Sequence, residues 1–276
     1  MTIIQLDNKL NLYSFYKITQ KCYQIFMLLY FWGILSIMLE QFSRTELLIG
    51  EEGLEKLSKS RVAVFGAGGV GGYAIEALIR SGIGNIDIID NDVVSISNIN
   101  RQIIATHKTI GQYKVDAAKE RILEINPNVD VKTYKTFFTS ETANEFDFSQ
   151  YDYIIDAIDT VAGKLSLIKK AKEFGVPIIC SMGAGNKLNP TKFEVADISQ
   201  TSVCPLARVI RTELKKRKIS NVKVVYSKEA PITPLKTEPA NDCPKSKKVA
   251  PGSIAFVPSV VGLIIAGEVI KDLIKR

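Results

Sequence analysis

The segment Gly66-Ala-Gly68-Gly69-Val-Gly71 follows directly on the β-branched run Arg61-Val-Ala-Val-Phe-Gly66 and opens an apolar stripe at Val70, Ala74, Ala77 and Leu78. The run reads as a buried parallel strand, and the stripe as the sheet-facing side of a helix from Gly69 to Ser81. The next apolar run is Ile86-Asp-Ile-Ile89. Strand, glycine turn, helix and strand form a βαβ unit, whose right-handed crossover puts the turn at the carboxyl edge of the sheet. There the first glycine permits the turn and the second lets backbone approach a ligand, while amides and the helix N-terminus cradle phosphates. Asp90 stands 19 residues past Gly71 at the end of the second strand, where a carboxylate accepts from a ribose hydroxyl. Up to this point NAD and ATP fit equally well.

The alternation continues. A helix is expected from Lys114 to Asn126, broken at Pro127, then a strand around Val129 and Val131. Tyr153-Ile-Ile-Asp156 and Pro177-Ile-Ile-Cys180 are two further strands, with a helix between them from about Thr160 to Gly175. This pattern predicts an α/β fold with a doubly wound, mostly parallel, Rossmann-like sheet. Beyond Ser181, Phe193, Val195 and Ile198 suggest a strand, and Leu206, Val209, Ile210 and Leu214 share one face of a basic helix. Lys228 to Gly252 holds five of the ten prolines and five lysines, the composition of a mobile loop. Phe256 to Ile274 is apolar, but Glu268, Lys271 and Asp272 favour a packed terminal helix over a membrane segment. One domain is therefore expected over residues 38–276, with a nucleotide-binding core at 61–182 and a substrate-side region at 183–276.

The N-terminal segment reads differently. Ile25 to Leu39 is a run of 15 residues with a single polar member, Ser36, and no charge. A membrane-spanning helix needs about 20 apolar residues, and no small-x-small cleavage site follows. Residues 1–37 are read first as an upstream extension from a misplaced start codon, with Met38 as the start. A membrane anchor and an interaction helix are the rival readings, and membrane association depends on the segment being genuine.

Overall charge and cysteine usage narrow the classes further. Thirty-six Lys and Arg against 29 Asp and Glu favour a polyanionic partner, although a generally basic soluble enzyme accounts for the charge equally well. The four cysteines, Cys22, Cys180, Cys204 and Cys243, include no CxxC pair, which excludes a four-thiolate zinc site and a disulfide scaffold and fits a reducing cytoplasm. Cys204 and Cys243 are read as incidental, a mobile acceptor thiol being the alternative for Cys243, and Cys180 as a small hydrophobe ending a strand. His107 is the only histidine, which rules out a histidine metal cluster and suggests a surface loop residue.

The stretch Asp90-Asn-Asp92-Val-Val-Ser-Ile-Ser-Asn98-Ile-Asn-Arg101-Gln102, followed by Gly111-Gln112-Tyr113-Lys114, separates the two nucleotides. A nicotinamide slot does not call for Asn, Arg and Lys converging after the second strand; a triphosphate does. Arg and Lys neutralise charge developing on the phosphoryl group and its leaving pyrophosphate.

With GAGGVG, DNDVVSISNINRQ, GQYK and IIDAIDT in order, the chain resembles the ubiquitin-activating-enzyme-like ATP-dependent adenylyltransferases. The resemblance implies ATP across Gly66, Gly68, Gly69 and Gly71, Asp90 on the ribose, and Asn98, Arg101 and Lys114 around the phosphates. It also counts Asp92 among the nucleotide-binding residues and places Asp159 near magnesium. A homodimer is implied, in which Arg44 of FSRTELLIG reaches the partner's nucleotide. From about Gln41 to the C-terminus the closer resemblance is to the tRNA threonylcarbamoyladenosine dehydratases, carried by SMGAGNKLNPTKFEVADISQT, CPLARVIRTELKKR, VVYSKEAPI and AFVPSVVGLIIAGEVIKDL. That implies ATP with Mg2+, and with scope for a monovalent cation, as cofactors, tRNA as substrate, and a sulfur-transfer protein as a conceivable partner. The rival within the family activates the C-terminal glycine of a sulfur-carrier protein.

Asp159 could instead cap the helix near Thr160, and Asp156 could satisfy backbone at a strand end. The basic stretch from Val203 to Lys228, including Arg208, Arg211, Lys215 and Arg217, is read as an RNA-backbone surface, against the plainer reading of a solvated helix face.

Overall fold

The computed structural model describes Gln20, Tyr23, residues 40–235 and residues 251–275. The apolar run 25–39, Met38, Cys22, Cys243 and the centre of the lysine-proline segment lie outside the described residues. The chain divides after Gly50 into units 1–50 and 51–276. Helix α1 (Ser43–Lys59) is broken at Gly50, whose φ of 72° and ψ of 171° cost a glycine no Cβ clash. In the first unit Ser43 Oγ donates to the Glu40 carbonyl at 2.9 Å.

The second unit runs β1 (Arg61–Phe65), α2 (Gly71–Arg80), β2 (Asn85–Ile89), α3 (Lys114–Ile125), β3 (Asp130–Tyr134), β4 (Tyr153–Asp156), α4 (Val161–Glu173), β5 (Ile178–Ser181), β6 (Phe193–Asp197), α5 (Pro205–Lys216), β7 (Lys223–Ser227) and α6 (Phe256–Ile274). The seven strands form one sheet in the order β3-β2-β1-β4-β5-β7-β6. Neighbours are parallel except β6, which runs antiparallel to β7. This is the doubly wound sheet expected from the alternation. Its order reverses between β1 and β4, and in open α/β sheets ligands bind outside the carboxyl ends of the strands at such a reversal.

Burial explains the strand sequences. Four of five residues in β1 and in β2, and all four in β4 and β5, are buried, so these strands are covered on both faces and carry β-branched runs rather than alternation. On one side α6 crosses α2 flush: a Cβ on Gly262 would sit 2.3 Å from the Val70 carbonyl oxygen. Elsewhere Phe65 packs edge-on to Phe138 and Phe146 and stacks on Phe148, with centroids 4.8, 5.6 and 6.2 Å away.

Several boundaries differ from expectation. α2 starts at Gly71 rather than Gly69, because Gly68 to Val70 form the turn. Ile198 leaves β6 and enters a short 3-10 turn, where Asp197 accepts from the Ser199 amide. β7 was not anticipated as a strand, since its residues fall inside the basic stretch; it inserts between β5 and β6. The described flank of the lysine-proline segment is tied to the fold, with Lys228 Nζ 2.7 Å from Glu194 Oε1 and Lys228 N donating to the Lys192 carbonyl. Among the described residues no helix is long and apolar enough to cross a membrane.

Candidate nucleotide and acceptor site

The glycine loop is built by two backbone contacts. Gly66 N–H donates to Ile89 O and Ala157 N–H donates to Phe65 O, each at 2.8 Å, which draws the ends of β1, β2 and β4 together. Gly66 has a φ of 98°, and a Cβ there would lie 2.7 Å from the Ala157 carbonyl oxygen. A Cβ on Gly71 would meet Gly66 O at 1.7 Å, and one on Gly69 would meet Pro258 of α6 at 3.2 Å. Gly68 differs: the nearest neighbour of its Cβ position is Gln102 Nε2 at 3.9 Å. Gly66 and Gly71 are thus set by packing, while Gly68 leaves bare backbone facing open space, as a phosphate cradle requires.

At the end of β2, Asp90 Oδ2 accepts from Ala67 N–H at 2.7 Å and Oδ1 from Asp92 N–H at 2.9 Å. Burial pushes its pKa above the usual carboxylate value, against the opposing pull of the Lys114 charge and the two amides. Each oxygen keeps acceptor capacity for a ribose hydroxyl. Lys114, buried at the start of α3, holds its ammonium 2.6 Å from Asp92 Oδ2. The paired backbone bonds Val94 N to Gln112 O and Gly111 N to Val94 O lay the second motif against the first.

Asn98 is buried, with Oδ1 accepting from Ser95 N–H at 3.1 Å, and makes no other side-chain hydrogen bond among the described residues. Arg101 Nη1 donates to Ser97 O at 2.8 Å and Asn100 Oδ1 at 3.0 Å, which leaves the rest of its guanidinium unengaged. Beside them Gln102 is 6% exposed, and its Oε1 has no hydrogen-bond partner among the described residues. The local sequence marks Gln102 only by its place after Arg101.

At the end of β4, Asp156 is fully buried and its Oδ1 accepts from Ile158 N–H at 3.0 Å and Lys164 Nζ at 3.1 Å. Lys164, also fully buried, donates at 2.7 Å to the Ser181 carbonyl, fastening β4 to β5. No pattern in the sequence marked Lys164, because its meaning depends on a strand pairing. The cap of α4 is Thr160, whose Oγ1 accepts from Gly163 N–H at 3.3 Å; Asp159 makes no such bond and is exposed. Asp159 lines a cleft of about 420 Å³ beside Val70 of the glycine loop, walled by residues 181–187, 204–206, Pro231 and Pro251. Val203, just before Cys204 of that wall, is held at a φ of 60°, rare for a β-branched residue.

Arg44 is exposed on α1 in the first unit. On α5, Arg208 and Lys215 are exposed and their side chains make no hydrogen bond among the described residues. Arg211 is half-buried and donates at 2.6 Å to both the carbonyl and hydroxyl of Thr201, so part of its guanidinium serves the fold. Arg217 and Lys216 both pair with Glu213, which holds that carboxyl down at about 2. His107 is exposed in a turn, Cys180 is buried at the end of β5, and Cys204 is buried at the cleft. Among the described residues no group of three His, Cys, Asp or Glu side chains is placed to hold a metal.

A mostly parallel sheet carrying a bare glycine loop at its reversal point, with Asp90 and the buried Lys114 beyond it, defines a nucleotide-binding α/β domain. The chain belongs to the ThiF family, whose sequence model matches residues 42–276. It is 50% identical over 244 residues to the tRNA threonylcarbamoyladenosine dehydratase of Bacillus subtilis, covering 86% of this chain and 96% of that protein. A crystal structure of the E. coli tRNA N6-threonylcarbamoyladenosine dehydratase in complex with ATP superposes with a TM-score of 0.77 at 32% identity. That match covers 86% of this chain and 95% of the other. The adenylyltransferase and sulfurtransferase UBA4 of Vanderwaltozyma polyspora is 37% identical, over 55% of this chain and 36% of its own length.

Proposed function

We propose that this chain is an ATP-dependent dehydratase of threonylcarbamoyladenosine in tRNA. The observation that carries the reading is similarity over 86% of this chain to the 50% identical Bacillus subtilis dehydratase, which is covered over 96% of its own length. The UBA4 match, by contrast, covers about a third of that protein.

A carboxylate is a poor acyl donor, and adenylation gives it a good leaving group. A carboxylate oxygen of the substrate attacks the α-phosphorus of ATP, pyrophosphate departs, and a nitrogen of the same modified nucleoside then attacks the acyl carbon. AMP leaves with the carboxylate oxygen, so the nucleoside loses one water. The nucleophile is internal, and no protein thiol is needed. The chain's contribution is positioning and charge stabilisation. Gly68 presents backbone to the phosphates and Asp90 takes the ribose. Lys114 and Arg101 offset charge as pyrophosphate separates, and the unengaged amide of Asn98 donates beside them. Asp92 orients the Lys114 ammonium.

Mg2+ suits this donor set. It binds by one or two carboxylates plus phosphate oxygens and water, and Asp159 is an exposed carboxylate at the cleft beside the loop. When bound, the ion supplies charge neutralisation at the phosphates. The same reading has Arg44 serving the nucleotide of a second copy in a homodimer, and Arg208, Arg211, Lys215 and Arg217 meeting the RNA backbone. Incubation with Mg-ATP and tRNA bearing threonylcarbamoyladenosine, followed by nucleoside mass spectrometry, should show loss of one water. Unaltered tRNA together with adenylation of a sulfur-carrier C-terminus would refute the proposal.

A further inference from the structure

The cleft beside the glycine loop is walled partly by Pro231 and Pro251, which stand 20 residues apart at the two flanks of the lysine-proline segment. One residue holds both. Asn186 N–H donates to the Gly252 carbonyl at 2.7 Å, its Oδ1 accepts from Gly252 N–H at 2.6 Å, and its own carbonyl accepts from Ile232 N–H at 2.8 Å. It does so with φ at 57°, in the left-handed region that asparagine tolerates better than most side chains. The adjoining Gly185 lies flush on Pro251, where a Cβ would approach to 2.7 Å. Next in sequence, buried Lys187 donates from Nζ to the Glu229 carbonyl at 2.7 Å. The 185–187 strip is therefore the seam on which the two proline segments are set, and Asn186 is its double clasp.

Asn186 is bonded to the proline side of this cleft and not to the side lined by Val70 and Asp159. None of its bonds goes to residues 66–71, Asp90, Asn98, Arg101 or Lys114, whereas Pro231 and Pro251 lie beside its two partners, Ile232 and Gly252. We infer that Asn186 is a positioning residue for the acceptor: it fixes the proline walls against which the carboxylate-bearing nucleoside is held for adenylation, and has no part in ATP binding. The inference rests on the dehydratase reading.

Asn186→Gly is the informative variant. Glycine adopts the same left-handed φ and keeps both backbone bonds, so it removes only the Oδ1 bond to Gly252 and should fold. With saturating Mg-ATP and tRNA bearing threonylcarbamoyladenosine, KM for tRNA should rise about three- to ten-fold, the scale of one net hydrogen bond. Turnover should stay within about two-fold, and the rise in Tm on adding ATP should match wild type. Hydrogen exchange at the Gly252 amide should quicken, and Asn186→Asp, which keeps the acceptor, should return KM toward wild type. Wild-type dehydration with an unchanged KM in Asn186→Gly, or an equal loss of ATP stabilisation, would overturn the assignment alone. Wild-type protein that leaves the tRNA unaltered would overturn the dehydratase reading and the assignment with it.

Discussion

Gly68 and Gly71 stand three residues apart in one motif, and the geometry predicts opposite outcomes for the same substitution. At Gly71 an added Cβ would lie 1.7 Å from a backbone oxygen, so no rotamer change relieves the clash and the loop must move. Overpacking of this kind costs about 1–3 kcal/mol or more. For a domain of this size that lowers Tm by about 2–4 °C per kcal/mol. At Gly68 the Cβ has 3.9 Å of clearance and φ lies outside the left-handed region, so Gly68→Ala should fold, and reduced unfolded-chain entropy should stabilise it by about 0.4–1 kcal/mol. On the proposed reading, the new methyl group stands where phosphate must approach. ATP at about 100 times its Kd stabilises a protein by about 2.7 kcal/mol, a rise of about 5–10 °C in wild type. Differential scanning fluorimetry with and without Mg-ATP measures both effects. Gly68→Ala should melt at or above wild type without ligand and lose most of the ATP shift, while Gly71→Ala should melt well below. A full ATP shift in Gly68→Ala, or a wild-type melting point in Gly71→Ala, would refute the division of roles.

Three further outcomes follow from the site. Lys164→Met strands the Asp156 carboxylate in the interior and should cost about 3–5 kcal/mol in urea unfolding, most of it recovered in the double variant with Asp156→Leu; a single-variant cost under about 1 kcal/mol would contradict the buried pair. Asp90→Asn should abolish the ATP shift, and its single carboxamide oxygen can accept from only one of the Ala67 and Asp92 amides. Burial raises the Asp90 pKa, so its ionised form opposes folding above that value and the penalty is gone once pH falls below the unfolded pKa; the ligand-free Tm of wild type should therefore gain on that of the variant as pH falls, and a difference that does not change with pH would count against this. Arg208→Gln and Lys215→Gln should each reduce the slope of log affinity for single-stranded RNA against log salt by about 0.7 with unchanged Tm, whereas Arg211→Gln should also lower Tm by breaking the bonds to Thr201; unchanged slopes would detach α5 from RNA.

The central strands were legible because their signal is local. A β-branched run buried on both faces needs no knowledge of its neighbours, and β1, β2, β4 and β5 fall within a residue or so of their expected ends. The glycine loop and Asp90 were legible for the same reason: a tight turn and a strand end are set within a few residues. What depended on distant pairing was not. β7 sits inside a basic stretch whose charge masks Val224 and Val225, and becomes a strand because β5 and β6 flank it. Lys164 looks like one lysine among many until β4 and β5 bring Asp156 and the Ser181 carbonyl to its ammonium. Arg211 and Arg208 are alike in the sequence, yet the guanidinium of one is bonded to Thr201 and that of the other makes no hydrogen bond among the described residues. By itself the sequence determined the βαβ unit, its nucleotide loop and the family motifs, since short-range sterics and hydrophobic periodicity specify them. The tertiary structure alone decided the seventh strand, the buried lysine and the clasp at Asn186, because each is a hydrogen-bonding arrangement among groups far apart in the chain.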